Sequence, residues 1–335
     1  MQPAISATQL QHLLDRWAVT GASVAVVRHG AVATVAAGLR HAETGLPVTG
    51  DTVFDAASLT KPLVSYAVLQ LVDAGVVCLD EPLAECVRPV VADDARALHI
   101  TTRHLLTHTA GLQNLRDKRP LQLFYTPGSW FSYASLGFMY LQMAIEAKTG
   151  EPLEATMKRL VFDPLGMPAS SLVWRETFAA HEAIPHEHGL QLAGHRALAA
   201  NASYSLKTTA ADYGTFLAAV LAGSRLKRDT WRHWLSPAVM LPRGALTQLD
   251  GPPLAHEPGI GWGLGWGLEP GVGCFFQWGK MPGMRAFAMG HAASHTGFVV
   301  LANSHTGLRL MQPLGEAVLP GEHPAIRLLQ TEVTE

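Results

Sequence analysis

The sequence predicts an α/β protein of the α+β kind. One antiparallel sheet is formed by the N- and C-terminal segments, is flanked by helices, and is interrupted by an inserted helical domain. Three observations carry this expectation. Strand-like runs stand at 22–27 and 31–36 near the start, and at 274–279, 284–289 and 298–303 near the end. The long middle reads as helix and loop. The 335 residues are 48% hydrophobic and only 16% charged, against about 25% charged in an ordinary globular chain, so a large core can be buried. The expected division is 1–79 with 203–335 for the sheet domain, and 80–202 for the mainly helical insertion.

Residues 7–17 are amphipathic at helical period, and the runs 22–27 and 31–36 around Arg28-His29-Gly30 form a hairpin. From Ser58 onward Leu63, Tyr66, Ala67, Leu69 and Val72 recur near helical spacing until Gly75 stops them. Residues 101–106 start a short helix, and 134–147 make a long one closed by Gly150. Residues 153–161 make another, expected to end before Pro164-Leu165-Gly166. Thr209 with Asp212 three residues on is a capping signal for a helix through Ala222. The stretch 224–269, rich in Pro, Gly and Trp, is expected to wrap over the surface. A last helix is expected within 309–330.

Composition also excludes partners. Lys plus Arg is 25 and Asp plus Glu is 27, a net charge of −2 with no basic block, so nucleic acid is not an expected partner. Cys78, Cys86 and Cys274 form no CxxC pair and are odd in number, which argues against a disulfide scaffold. The first residues lack a basic region and an apolar run, and the apolar stretch 21–39 is broken by Arg28-His29-Gly30, too early for a membrane span. The expectation is a soluble, reduced, cytoplasmic protein without a cofactor. Of the 16 histidines, His181, His186, His188 and His195 cluster in one segment. With no HExxH and no nearby cysteine, that segment reads as a polar loop, and no metal is expected there.

Ser58-Leu59-Thr60-Lys61 is an SxxK tetrapeptide. At the start of a helix this spacing brings Lys61 onto the face that carries Ser58. A serine hydroxyl is a weak nucleophile and needs a base beside it. A buried lysine can be that base, because desolvation disfavours the ammonium. A helix N-terminus would also steady developing negative charge. An SxxK match alone arises by chance about once in a chain this long on ordinary composition. Its weight comes from the setting, with Phe54-Asp55-Ala56-Ala57 before it, Pro62 after it and a strongly apolar helix beyond.

Five segments occur in one order along nearly the whole chain: Val53-Phe54-Asp55-Ala56-Ala57-Ser58-Leu59-Thr60-Lys61; Ile100-Thr101-Thr102-Arg103-His104-Leu105-Leu106-Thr107-His108-Thr109-Ala110-Gly111-Leu112; Pro127-Gly128 with Phe131-Ser132-Tyr133-Ala134-Ser135-Leu136-Gly137; Pro164-Leu165-Gly166-Met167; and Val299-Val300-Leu301-Ala302-Asn303. In these the chain resembles the serine β-lactamase and penicillin-binding-protein-like hydrolases, in the class C-like branch that includes DD-peptidases, esterases and acyltransferases.

The resemblance implies roles. Ser58 and Lys61 fall on the nucleophile and its base. Tyr133-Ala134-Ser135 falls on a Tyr-x-Asn motif, and Tyr133 can move the proton if its surroundings lower the phenol pKa toward neutrality. Ser135 replaces the asparagine, keeping a hydroxyl and losing the amide donor. The third motif is Lys/His-x-Gly. Lys148-Thr149-Gly150 closes a helix, His295-Thr296-Gly297 sits at a hairpin turn, and His305-Thr306-Gly307 follows the last strand. Counting back about two dozen residues from Asn303, as the resemblance directs, lands on Gln277-Trp278-Gly279. Gln277 brings no charge, so a substrate carboxylate loses its usual cation, which Lys280 or Arg285 could restore. Trp278 is pocket wall or core, and Gly279 lets backbone approach the substrate. The implied oxyanion hole is the backbone N–H of Ser58 and of Lys280. His104 and His108 are expected to be structural.

The expected activity is acyl transfer from a small ester or amide substrate through an acyl-enzyme on Ser58, as a carboxylesterase or acyltransferase. A β-lactamase or D-alanyl-D-alanine peptidase is the alternative, and a catalytically silent ligand-binding descendant is another.

Overall fold

The computed structural model describes residues 5–115, 120–242 and 256–331. The chain begins with α1 (Ala7–Trp17), β1 (Gly21–Arg28), β2 (Ala31–His41), β3 (Leu46–Pro47), β4 (Phe54–Ala57) and α2 (Thr60–Asp73). The middle holds α3 (Thr102–Leu106), α4 (Ser135–Thr149), α5 (Leu153–Met157), α6 (Asp163–Leu165), β5 (His186–Glu187) and β6 (Leu190–Gln191). Next come β7 (Leu206–Thr208), α7 (Ala210–Ala222), α8 (Arg228–Trp234), β8 (Val239–Pro242), β9 (His256–Trp262) and β10 (Gly267–Glu269). Last are β11 (Cys274–Met281), β12 (Met284–His291), β13 (Thr296–Ala302), α9 (Met311–Val318) and α10 (Pro324–Thr331).

One sheet of nine strands runs β3-β2-β1-β13-β12-β11-β10-β9-β8, so the first hairpin of the chain pairs directly with its last strand. The β1–β13 pairing is antiparallel, with Val24 opposite Val300 and Val26 opposite Phe298. Residues alternate between two cores as the strand period requires. On β1, Ala25 and Val27 face a core shared with α2, α4 and α7. Ala22, Val24 and Val26 face a second core closed by α1, α9 and α10. Residues 80–202 supply α3–α6 and the β5–β6 pair, and none of the nine strands.

Three expectations need correction. The 224–269 stretch is not a surface wrap: its described part forms α8 and three sheet strands, with Trp234, Trp262 and Trp266 fully buried. Glycine hid the strand pattern there. Gly267 lies opposite Phe276, and a Cβ at Gly267 would sit 2.5 Å from that ring. Pro164 does not stop the helix before it. A π turn at Lys158–Phe162 carries the chain into α6, where proline occupies a first-turn position whose N–H is not needed, and Gly166 ends it at φ 68°. The single C-terminal helix is two, α9 and α10.

Candidate active site

Ser58 stands in the turn between β4 and α2, and its neighbours fix that turn. Ala57 adopts the left-handed conformation at φ 48°, which for a residue with a Cβ costs about 1–2 kcal/mol. The Thr60 hydroxyl donates to Ala57 O at 2.6 Å and accepts from Leu206 N–H at 3.0 Å, locking the bend to β7. Among the described residues the Ser58 N–H has no acceptor.

Lys61, one residue into α2, is fully buried. Its Nζ lies 2.9 Å from Ser58 Oγ, 3.1 Å from Ser135 Oγ and 2.9 Å from Ser203 O. It also sits over the rings of Tyr133 and Phe138, at 4.9 and 5.6 Å from their centroids. No carboxylate is among these partners, and burial holds the amine well below the usual lysine range.

Tyr133 approaches from the segment leading into α4, and Gln277 Nε2 donates to its Oη at 3.1 Å. The phenol differs from expectation. Burial, the largest influence, pushes it up to about 12, against the smaller downward pull of Ser58 and Gln277. Burial disfavours the Lys61 ammonium as well, which leaves the phenol without the charge that would lower it, against the lowering expected from the sequence.

The strand β11 brings Gln277, Trp278 and Gly279 to the same place. Gln277 is fully buried, and its Oε1 has no partner among the described residues. Trp278 is 8% exposed and packs on Tyr133 at 5.1 Å and Trp262 at 6.2 Å, in an aromatic cluster. Gly279 allows β11 to pass close to β4, since a Cβ there would lie 2.4 Å from Ala56 O. Beyond Phe276, β11 has no paired strand on the β10 side among the described residues. Lys280 follows on that strand with its side chain exposed. Arg285 is held by the Met281 and Met284 carbonyls of its own turn, so it does not supply a cation beside Gln277.

Three further residues contribute: Ser203 and Asn114, which no motif marked, and His108, expected to be structural. Ser203 offers only its carbonyl. Asn114 Oδ1 accepts from Ser135 N–H at 3.0 Å and so fixes the start of α4. His108, fully buried, lies 4.3 Å from the Tyr133 ring and accepts from Ala134 N–H at 3.1 Å; burial above all holds it well below the usual histidine range. The His181–His195 segment brings no three ligand atoms together among the described residues. His186 is buried against Asn303, and the His188 ring lies 4.3 Å from that of His305.

A family model described as Beta-lactamase matches residues 8–320. Esterase EstB of Burkholderia gladioli is 35% identical over 204 residues, 51% of this chain and 51% of that protein. Penicillin-binding protein 4 of Amycolatopsis lactamdurans is 32% identical over 185 residues, 50% of this chain and 49% of that one. The chain thus spans about half the length of these curated relatives. The crystal structure of a beta-lactamase/D-alanine carboxypeptidase from Pseudomonas syringae superposes with a TM-score of 0.78 at 18% identity, covering 95% of this chain and 98% of that one. The chain belongs to the beta-lactamase family and has its fold. No helix among the described residues is long and apolar enough to cross a membrane.

Proposed function

We propose that this member of the beta-lactamase family is a serine hydrolase that forms an acyl-enzyme on Ser58, and that its substrates are small esters rather than carboxylate-bearing lactams or peptides. The observation that carries the reading is the fully buried Lys61 amine 2.9 Å from Ser58 Oγ, with no carboxylate partner and with burial disfavouring its charged form.

A neutral amine has two N–H donors and one lone pair, and Nζ has three partners. Ser203 O can only accept, so a serine hydroxyl must face the lone pair. With Ser135 as the second acceptor, Ser58 O–H points at Nζ. Tyr133, a neutral phenol already receiving the Gln277 N–H, keeps its own O–H as a donor for the reacting oxygens. When Ser58 attacks a carbonyl carbon, its proton passes to Lys61, and the ammonium formed is held by Ser135, Ser203 O and the Tyr133 and Phe138 rings. The N–H groups of Ser58 and Lys280 take the oxyanion. Tyr133 protonates the departing alkoxide and recovers a proton from Lys61. Water or another acceptor then attacks the acyl group by the reverse relay.

The preference for esters follows from Gln277. Where a cation would meet a carboxylate, the site presents an amide whose free Oε1 can only accept a hydrogen bond. An anion placed against it would be desolvated without a partner. The similarity to an esterase supports the same reading.

A fluorophosphonate probe should label the wild-type chain at Ser58 and leave Ser58→Ala unlabelled, as read by intact-protein mass spectrometry. A folded wild type that stays unlabelled makes the acyl-enzyme reading wrong. Nitrocefin hydrolysed faster than every p-nitrophenyl ester would move the substrate class to lactams.

A further inference from the structure

Glu269 closes β10, Cys274 opens β11 and His323 stands just ahead of α10, yet their side chains meet. A carboxylate oxygen, the thiol sulfur and an imidazole nitrogen lie within 4.8 Å of one another. The three residues are 0%, 5% and 8% exposed. Two of them are held from behind. His323 Nε2 donates to Leu319 O at 2.7 Å, which turns Nδ1 toward the other two. Glu269 Oε1 accepts from Ala325 N–H at 2.7 Å, which leaves Oε2 at 2.8 Å from His323 Nδ1. An imidazole whose far N–H rests on a carbonyl, beside a carboxylate whose far oxygen is occupied, has the outer support that orients metal ligands. A surface pocket lined by Cys274, His291, Ser294, Leu319 and His323 gives a path from solvent.

We propose that Glu269 Oε2, Cys274 Sγ and His323 Nδ1 bind a borderline-soft divalent cation of the zinc type, with a fourth coordination position open to that pocket. Thiolate and imidazole donors favour such ions over magnesium or calcium, which take oxygen ligands. The exchange balances. One dication replaces two protons, one from Nδ1 and one from Sγ, so the group of three is neutral overall both with the protons and with the cation. Burial therefore suits either form. Zinc–ligand distances of about 2.0–2.2 Å to nitrogen and oxygen place those atoms roughly 3.3–3.5 Å apart at tetrahedral angles. The 2.8 Å contact must then widen by about half an ångström, and His323 lies on the connection between α9 and α10, where the backbone can give. Cys274 is five residues along β11 from Gly279, about 17 Å at strand rise, so the ion would tie α10 to the sheet rather than take part at Ser58.

Cobalt(II) is the probe, because its bond to a thiolate produces a charge-transfer band in the near ultraviolet. The chain has three cysteines, so the Cys78→Ser/Cys86→Ser double variant leaves Cys274 as the only thiol. That variant, stripped with a chelator and titrated with cobalt(II), should show the band at one equivalent, lose it to an equal amount of zinc, and keep it in a hundredfold excess of magnesium. A missing band, or one that magnesium abolishes, overturns the proposal. Cys78 is exposed and Cys86 lies half-buried at the margin of the core, where serine keeps the size of the side chain and a donor toward Leu83 O, so the test does not depend on a variant at Cys274 itself.

Discussion

The Nζ of Lys61 has hydroxyl and carbonyl partners and no acidic one, so its protonation is governed by burial. This gives a testable sign. Burial lowers the pKa of the folded amine well below the ordinary lysine value, so the free base persists to lower pH than in an exposed lysine and is lost as pH falls through that lowered pKa. Ester turnover is expected to fall on the acid side with a slope of one proton. The alkaline side should stay flat to about pH 11, because Tyr133 ionises only at about 12. Tyr133→Phe should slow turnover by about 10²–10⁴-fold, the usual worth of a proton-transfer group, while leaving the acid limb in place. An acid limb that disappears in Tyr133→Phe would make the phenolate the base and Lys61 its partner. Of the residues at this site, Ser58 and Lys61 stood out in the sequence by their spacing and setting, and Tyr133 through the resemblance. Ser203 did not, since a backbone carbonyl is available at every position and only folding selects one.

At the scale of elements, the closeness of β11 to β4 decides whether the nucleophile and the proposed oxyanion donors face one substrate. Gly279 permits it, with no room for a Cβ against Ala56 O at 2.4 Å. Gly279→Ala should push the strands apart, and a displacement of about 1 Å at a reacting centre costs on the order of 10²-fold in rate. Fluorophosphonate labelling slowed by about that factor, with an unchanged far-ultraviolet circular dichroism spectrum, is the expected result. Labelling at the wild-type rate would show that the close approach is dispensable. The elements with clean periodicity were legible before folding: α1, the β1–β2 hairpin, α2, α4, α7 and the three strands β11–β13. The strands β8–β10 were not, because their glycines and tryptophans obey cross-strand fit, as Gly267 does under Phe276, rather than alternation of apolar and polar residues.

For the whole molecule, a buried charge cluster joins distant parts of the chain behind the nucleophile. Lys207 on β7 lies opposite Asp55 on β4, with Nζ 3.0 Å from Asp55 Oδ1 and 2.6 Å from Glu182 Oε1, and all three side chains are at most 3% exposed. His195 and Arg196 approach the same two carboxylates from the rim, at 4.0 and 3.7 Å. Removing one member of such a cluster typically costs about 3–5 kcal/mol, because the partners remain buried and unpaired. Lys207→Met should lose that much at pH 7 by urea unfolding. Burial already raises the Asp55 carboxyl above its ordinary range, and without Lys207 it would rise further. A carboxyl whose folded pKa exceeds its unfolded one costs stability above that pKa and ceases to cost it below. The deficit should therefore shrink as the pH is lowered toward 4. A variant within about 1 kcal/mol of wild type at pH 7 would mean that the cluster does not hold these segments together.

By itself the sequence determined the sheet built from both termini and the SxxK pair, since each is written in local spacing, strand and helix periods and two side chains on one helix face, and it indicated the family through the resemblance of five ordered segments. Tertiary structure alone decided the electrostatics. Whether Lys61 keeps its proton, whether Tyr133 titrates near neutrality, and whether Lys280 or Arg285 replaces the charge missing at Gln277 depend on burial and on partners up to 144 residues away. The low charge content made a large core expected. What the fold added is that the core closes over Lys61, and a desolvated amine is a base.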